Sequence, residues 1–180
     1  MIKKGLVIIA GLFVVLAVVG VFLPGQYGLS RSVTIDAEPK VVFHQVANLR
    51  AYQKWMPWNA DPTMKVTFGD KVEGVGASMS WTSEDSGNGK LIVSVAEPPT
   101  MIGTKLEFEG QGEAGAVWTF APTEKGTLVT WTMSGEARGQ IDRWVGLFME
   151  RIVGPEFERG LENLRRQSEA ASSSTTSQFQ

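Results

Sequence analysis

Between residues 64 and 135 large apolar side chains recur at every second position, and between residues 141 and 164 they recur at every third or fourth. A period of two marks a strand with one buried face, and a period near 3.6 marks a helix with one buried stripe. This order constrains the chain more than any short motif in it. The strands make a sheet with one apolar face, and one long helix offers the matching surface, so the sheet must close on the helix.

The twofold pattern divides into residues 64–68, 77–82, 90–96, 101–109, 114–120 and 127–135. The expected inward sets are Ala77, Met79 and Trp81; Leu91, Val93 and Val95; Ile102, Thr104, Leu106 and Phe108; Ala116, Trp118 and Phe120; and Val129, Trp131 and Met133. Turn-forming segments separate them, including Gly74-Val75-Gly76, residues 84–89, Glu97-Pro98-Pro99-Thr100 and residues 122–126. Gly74-Val75-Gly76 lacks the third glycine of a dinucleotide-binding loop and leads into a strand, so it reads as a hairpin turn.

Upstream, residues 30–35 read as a strand carrying Val33 and Ile35 inward. Asp36-Ala37-Glu38-Pro39 starts a helix over residues 39–47, with Val42, Phe43 and Val46 on one face. A second short helix covers residues 49–54 and ends before Trp55-Met56-Pro57-Trp58. The last helix, residues 141–166, carries Ile141, Val145, Phe148, Met149, Ile152, Val153, Phe157, Leu161 and Leu164 as its stripe, with a kink expected at Gly154-Pro155. The fold class is therefore α+β: a curved antiparallel sheet of six to seven strands wrapped on a long C-terminal helix, with two short helices after the first strand.

Residues 5–23 contain no charged side chain. As a helix rising about 1.5 Å per residue this run covers about 28 Å, close to the hydrocarbon thickness of a bilayer. Lys3 and Lys4 precede it and Pro24-Gly25 ends it. Residues 1–25 are expected to form a single transmembrane helix in an inner or plasma membrane, with the rest of the chain on the periplasmic or extracytoplasmic side. A cleaved signal peptide is the alternative. The run is longer than a signal core of about 7–15 residues, and no Ala-x-Ala site follows it. Residues 26–29 read as a short linker, residues 26–169 as one domain, and the Ser/Thr-rich residues 170–180 as a disordered tail.

The chain has no cysteine and one histidine, so disulfides, thiol chemistry and multi-histidine metal sites are excluded. Its formal net charge is −2 and no basic block follows Lys4, which argues against nucleic acid as a partner. No metal or cofactor is expected. His44 sits off the apolar face of its helix with no Ser or Asp arrangement beside it, and reads as a surface or structural residue. Glu107 and Glu109 fall on the outward face of their strand, and no Gly-x-Ser-x-Gly elbow exists.

Ile35-Asp36-Ala37-Glu38-Pro39, Trp55-x-x-Trp58, Gly74-Val75-Gly76-Ala77 leading to Trp81, Gly126-Thr127-x-Val129-Thr130-Trp131-x-Met133-x-Gly135 and Gly154-Pro155-x-Phe157-Glu158-x-Gly160-Leu161-x-Asn163-Leu164 occur in that order. In this respect residues 30–166 resemble the START/Bet v 1-like (SRPBCC) superfamily, in its polyketide cyclase/dehydrase and lipid transport branch. The resemblance implies a helix-grip fold with a cavity between concave sheet and long helix. The lining it implies here is Met79, Trp81, Leu106, Phe108, Trp118, Phe120, Trp131 and Met133 from the sheet, and Phe148, Ile152 and Phe157 from the helix. The same residues also suit an ordinary close-packed core.

Gly160 either keeps space open or lets the helix approach the sheet. Trp55 and Trp58 either gate a ligand, rest on a membrane interface or cap the core, and Trp144 poses the same choice. The expected function is a membrane-anchored extracytoplasmic domain that binds a hydrophobic small molecule or lipid, with membrane and ligand as its partners. The alternatives are a polyketide cyclase/aromatase-like enzyme, which needs an acid or base inside the cavity, and a non-catalytic envelope docking module, which needs a large exposed apolar patch.

Overall fold

The computed structural model describes residues 18–110, 112–137 and 139–176, apart from the side chains at 141, 145, 175 and 176. Its elements are β1 (Gln26–Ile35), α1 (Pro39–Ala47), α2 (Leu49–Trp55), a 3₁₀ turn (Pro57–Ala60), β2 (Lys65–Phe68), β3 (Ser78–Thr82), β4 (Gly89–Glu97), β5 (Met101–Phe108), β6 (Gly112–Thr123), β7 (Gly126–Glu136) and α3 (Gln140–Thr176).

The strands form one seven-stranded antiparallel sheet in the order β1-β7-β6-β5-β4-β3-β2. Six of them follow one another as a meander, and β1 closes the sheet by pairing with the last strand, Gln26 opposite Glu136 and Ile35 opposite Thr127. Residues 26–29, expected as a linker, are the first part of β1 and face Met133 to Glu136. Their alternation was too short to read, and the partner strand rather than local propensity decides them. A register shift between Val93 and Val95 in β4 marks a bulge, which bends the strand.

Pro39 opens α1 with its fixed φ in the first turn. Asn48 ends α1 and starts α2, accepting the backbone N–H groups of Arg50 (3.1 Å) and Ala51 (3.3 Å) on its side chain. The two short helices are held on α3 by side-chain hydrogen bonds. Asn163 donates to the Trp55 carbonyl at 3.1 Å, and Gln167 donates to Gln45 Oε1 at 2.7 Å.

α3 is one helix running through Pro155. Met149, Val153, Phe157, Leu161, Leu164 and Ser168 face inward, in steps of three and four. Phe148 and Ile152, expected in the stripe, are 54% and 65% exposed. Each precedes an inward residue by one position, which turns it about 100° away around the helix. Ile141 and Val145 lie outside the described side chains.

The helix also continues to Thr176, so Ala170–Thr176 is helical where composition suggested a disordered tail. Propagation from a formed helix needs no new nucleus, and Glu169-Ala170-Ala171 are tolerant helix residues. Ser173 and Ser174 return their hydroxyls to the carbonyls four residues back, both at 2.9 Å.

The expected transmembrane run lies mostly in residues 1–17, outside the described residues. Residues 18–22 are helical. Among the described residues no helix is long and apolar enough to cross a membrane.

Candidate functional site

The inward residues of β6 change in size along the strand, from Phe120 and Trp118 to Ala116, Ala114 and Gly112. This gradient divides the interior into a solid half and a hollow half.

In the solid half, Trp118 lies between Ile102 on β5 and Trp131 on β7. The two indoles stack with centroids 4.3 Å apart, and Trp131 stacks on Phe157 of α3 at 3.7 Å. Trp55 meets Trp118 edge-on at 5.6 Å and donates its indole N–H to the Gln45 carbonyl at 2.9 Å. Phe120 meets Phe43 edge-on at 5.5 Å. The edge-on contacts suit the aromatic quadrupole, whereas the close, nearly parallel stacks are held by dispersion and burial. The Nε1 atoms of Trp118 and Trp131 are buried without a hydrogen-bond partner among the described residues. Each such orphan costs about 1–3 kcal/mol, offset here by stacking and burial.

In the hollow half, the next rungs are Thr104–Ala116–Met133 and Leu106–Ala114–Gly135. The short side chains leave a cavity of about 460 Å³ between sheet and α3. That is within the range of small-molecule sites, about 300–1,000 Å³. Its walls are Met79, Trp81, Leu91, Leu106, Phe108, Ala114, Ala116, Trp131 and Met133 from the sheet, and Met149, Ile152 and Val153 from α3. Tyr52, Met56 and Trp58 close one side from α2 and the 3₁₀ turn.

Two glycines set this space by close approach. Gly89 lies opposite Trp81, and a Cβ there would overlap the indole, which turns edge-on to Phe108 at 5.8 Å. Gly160 brings α3 onto the solid half: a Cβ there would sit 3.2 Å from both Pro57 Cδ and Trp131 Cζ3. Of the two readings of Gly160, close packing is the one observed.

Polar groups in the lining are few. They include Tyr52, Gln53, Asn59, Ser86, Glu113 and Glu156, and among the described residues no lysine or arginine joins them. Tyr52 is buried, and burial raises its hydroxyl above the ordinary tyrosine pKa, so it remains a protonated donor. Glu113 pairs with Lys105 at 3.0 Å and Glu156 with Arg159 at 3.2 Å.

One edge is held by a polar clasp. Asp61 accepts from Thr63 N (2.8 Å) and Oγ1 (2.6 Å), from Ser86 Oγ (3.1 Å) and from Ser83 Oγ. These bonds favour the carboxylate, Ser83's most of all, and lower its pKa to about 2. The clasp ties the chain before β2 to the β3–β4 hairpin.

Seven of the expected lining residues therefore meet at the cavity: Met79, Trp81, Leu106, Phe108, Trp131, Met133 and Ile152. Trp118, Phe120 and Phe157 do not line it; they fill the solid half. Phe148 points outward. Trp55 caps the core, and Trp58 lines the cavity while meeting Trp131 edge-on at 6.1 Å. Sequence reasoning missed Tyr52, Met149 and the small residues Ala114 and Ala116. The signal for the last two was the run of small inward residues at one end of β6.

His44 lies on the exposed side of α1, 3.4 Å from Glu73. Among the described residues no cluster of His, Asp and Glu is arranged to hold a metal ion. A wider depression of about 870 Å³ opens on the outer face of the sheet, lined by Gly28, Ser94, Lys105, Gly115 and Ser134 among others. Its lining is as polar as it is apolar, and the mostly apolar cavity under α3 is the better candidate site.

A meander that grips one long helix over an apolar cavity defines the class to which this protein belongs. The family described as polyketide cyclase / dehydrase and lipid transport matches residues 27–169, and the chain belongs to it. Solved structures share the fold at low identity. A protein of unknown function from Staphylococcus aureus superposes with a TM-score of 0.64 at 10% identity, covering 82% of this chain and 96% of its own. A protein from Arthrobacter aurescens gives 0.57 at 22% identity, covering 77% and 86%. The di-domain ARO/CYC StfQ from the steffimycin biosynthetic pathway gives 0.63 at 10% identity, covering 82% of this chain and 52% of that one. No curated protein matches the sequence.

Proposed function

We propose that this protein binds one hydrophobic small molecule or lipid between its sheet and α3, and that residues 1–25 anchor it in a membrane with the domain on the extracytoplasmic side. The observation that carries the binding reading is the 460 Å³ cavity, walled by apolar and aromatic side chains from both elements. Binding is driven by removing apolar ligand surface from water, worth about 25 cal/mol per Å². Tyr52 and the amides of Gln53 and Asn59 offer hydrogen bonds to a polar end of the ligand. The absence of lysine and arginine from the described lining favours a neutral ligand over an anionic one. The uncharged run at residues 5–23 supports the anchor.

A cyclase-like reaction is the second reading, favoured by the family and by the likeness to StfQ. The titratable groups in the described lining are Tyr27, Tyr52, Glu113 and Glu156. The two carboxylates are paired with cations, which leaves the two tyrosines, and Tyr52, the more deeply buried, is the better placed for proton transfer.

The test is organic extraction and mass spectrometry on the full chain purified from membranes in mild detergent, beside Ala116→Phe. The expected result is a near-stoichiometric hydrophobic molecule with the native chain and its loss from the folded variant. Equal recovery from both, or none from either, removes the binding reading.

A further inference from the structure

The last residues of the uncharged run are fastened to the start of α3. Arg143 donates from Nη1 to the carbonyls of Val21 (2.8 Å) and Leu23 (3.2 Å), capping residues 18–22 at their C-terminal end. Trp144 lies against the same helix: a Cβ on Gly20 would sit 2.9 Å from its Nε1. The point where the proposed anchor leaves the membrane is thus fixed on the first turn of α3.

About one to two and a half turns beyond that clamp, Leu147, Phe148 and Ile152 are 51%, 54% and 65% exposed. Phe22, at the end of the run, is 83% exposed. Large apolar side chains gathered at one place on a surface mark a contact that is missing from the isolated chain. From Arg143 to Ile152 the helix advances about 14 Å, so the patch lies within a headgroup layer's depth or two of the clamp. Met149, Ile152 and Val153 on the same stretch line the cavity. The exposed patch and the cavity wall are neighbouring faces of one helical segment.

We propose that α3 from Leu147 to Ile152 lies on the lipid bilayer, holding the cavity against the leaflet in which the chain is anchored. The proposal rests on the anchored, ligand-binding reading above and adds the surface through which ligand passes between bilayer and cavity. The bilayer is favoured as occupant because the adjoining run, residues 5–23, has the length and composition to enter it. Arg151 is exposed beside the patch and suits an anionic leaflet. Glu150, the acidic neighbour, is engaged by Arg31 at 3.2 Å.

The chain has no cysteine, so single labels can be placed cleanly. Phe148→Cys, Ile152→Cys and Glu124→Cys, the last in the turn at the far end of β7, are each labelled with nitrobenzoxadiazole. The full chain is reconstituted into phosphatidylcholine vesicles containing phosphatidylglycerol. The expected result is quenching of the labels at 148 and 152 by doxyl-labelled lipid and protection from aqueous iodide, with the reverse at 124. Iodide quenching at 148 and 152 equal to that at 124 overturns the proposal, because the patch then faces water. Protection from both quenchers also overturns it, because protein then covers the patch, either residues 1–17 or a second copy. Leu147→Ser/Phe148→Ser, two exposed positions outside the cavity lining and checked for folding by circular dichroism, gives an independent readout: several-fold slower uptake of the extracted molecule from vesicles, with the amount bound at equilibrium unchanged. Unchanged uptake rates contradict the transfer role. An empty native chain with labels in lipid would instead remove the binding reading and leave the bilayer contact standing.

Discussion

At the scale of residues, the inward positions of β6 decide where the interior is solid. Phe157 is fully buried and stacked on Trp131, so Phe157→Ala should destabilise the domain by about 3–5 kcal/mol in a urea titration. Ala116→Phe adds volume where space exists and should leave stability within about 1.5 kcal/mol while abolishing ligand binding. A loss at Ala116 as large as at Phe157 would mean that the hollow half is already filled. Asp61 gives a pH prediction. Its folded pKa is near 2, below the ordinary value of 3.8. A depressed carboxylate contributes stability that is present above the ordinary value and lost as pH falls through the folded one. The clasp should therefore loosen between about pH 4 and 2. The protection of the Ser86 amide, measured against its intrinsic exchange rate, should fall over that window in the native chain, and Asp61→Asn should leave that protection flat across it. An Asp61 carboxyl that titrates at the ordinary value would contradict the clasp.

At the scale of elements, α3 touches residues 20–23, the cavity and the solid half in turn. Gly160→Leu must push Pro57 and Trp131 away from their 3.2 Å approach, so it should cost about 1–3 kcal/mol and alter the near-ultraviolet dichroism of the indoles. A neutral outcome would show that α3 does not pack as closely as described. Much of this helix was legible in advance, because Met149, Val153, Phe157, Leu161 and Leu164 keep helical spacing and are inward. Phe148 and Ile152 were assigned to the same stripe, since spacing reports the period but not where the buried arc ends. Residues 170–176 were misread because composition ignores the helix already formed before them. The strands were legible for the same reason as the helix, and β1 was read short because Gln26–Leu29 owes its order to β7.

At the scale of the whole molecule, the sheet begins and ends beside residues 21–23, with Gln26 opposite Glu136 and Arg143 on the carbonyls of Val21 and Leu23, while α3 carries the chain to the other end of β1, where Glu169 accepts from the Asp36 amide. The family was legible because turn glycines, inward aromatics and the terminal helix occur in a fixed order. The cavity was not, because aromatic richness alone suits both a filled core and a pocket. The difference lies in the alanines facing Thr104 and Leu106, which single-strand patterns do not weigh. The most direct measurement is bromine anomalous scattering from crystals of the full chain equilibrated with a bromoalkane. The account predicts a bromine peak among Met79, Trp81, Leu106 and Met149, and none between Trp118 and Phe157. A hollow half closed by Met133 and Met149, with no bromine in it, would contradict the account.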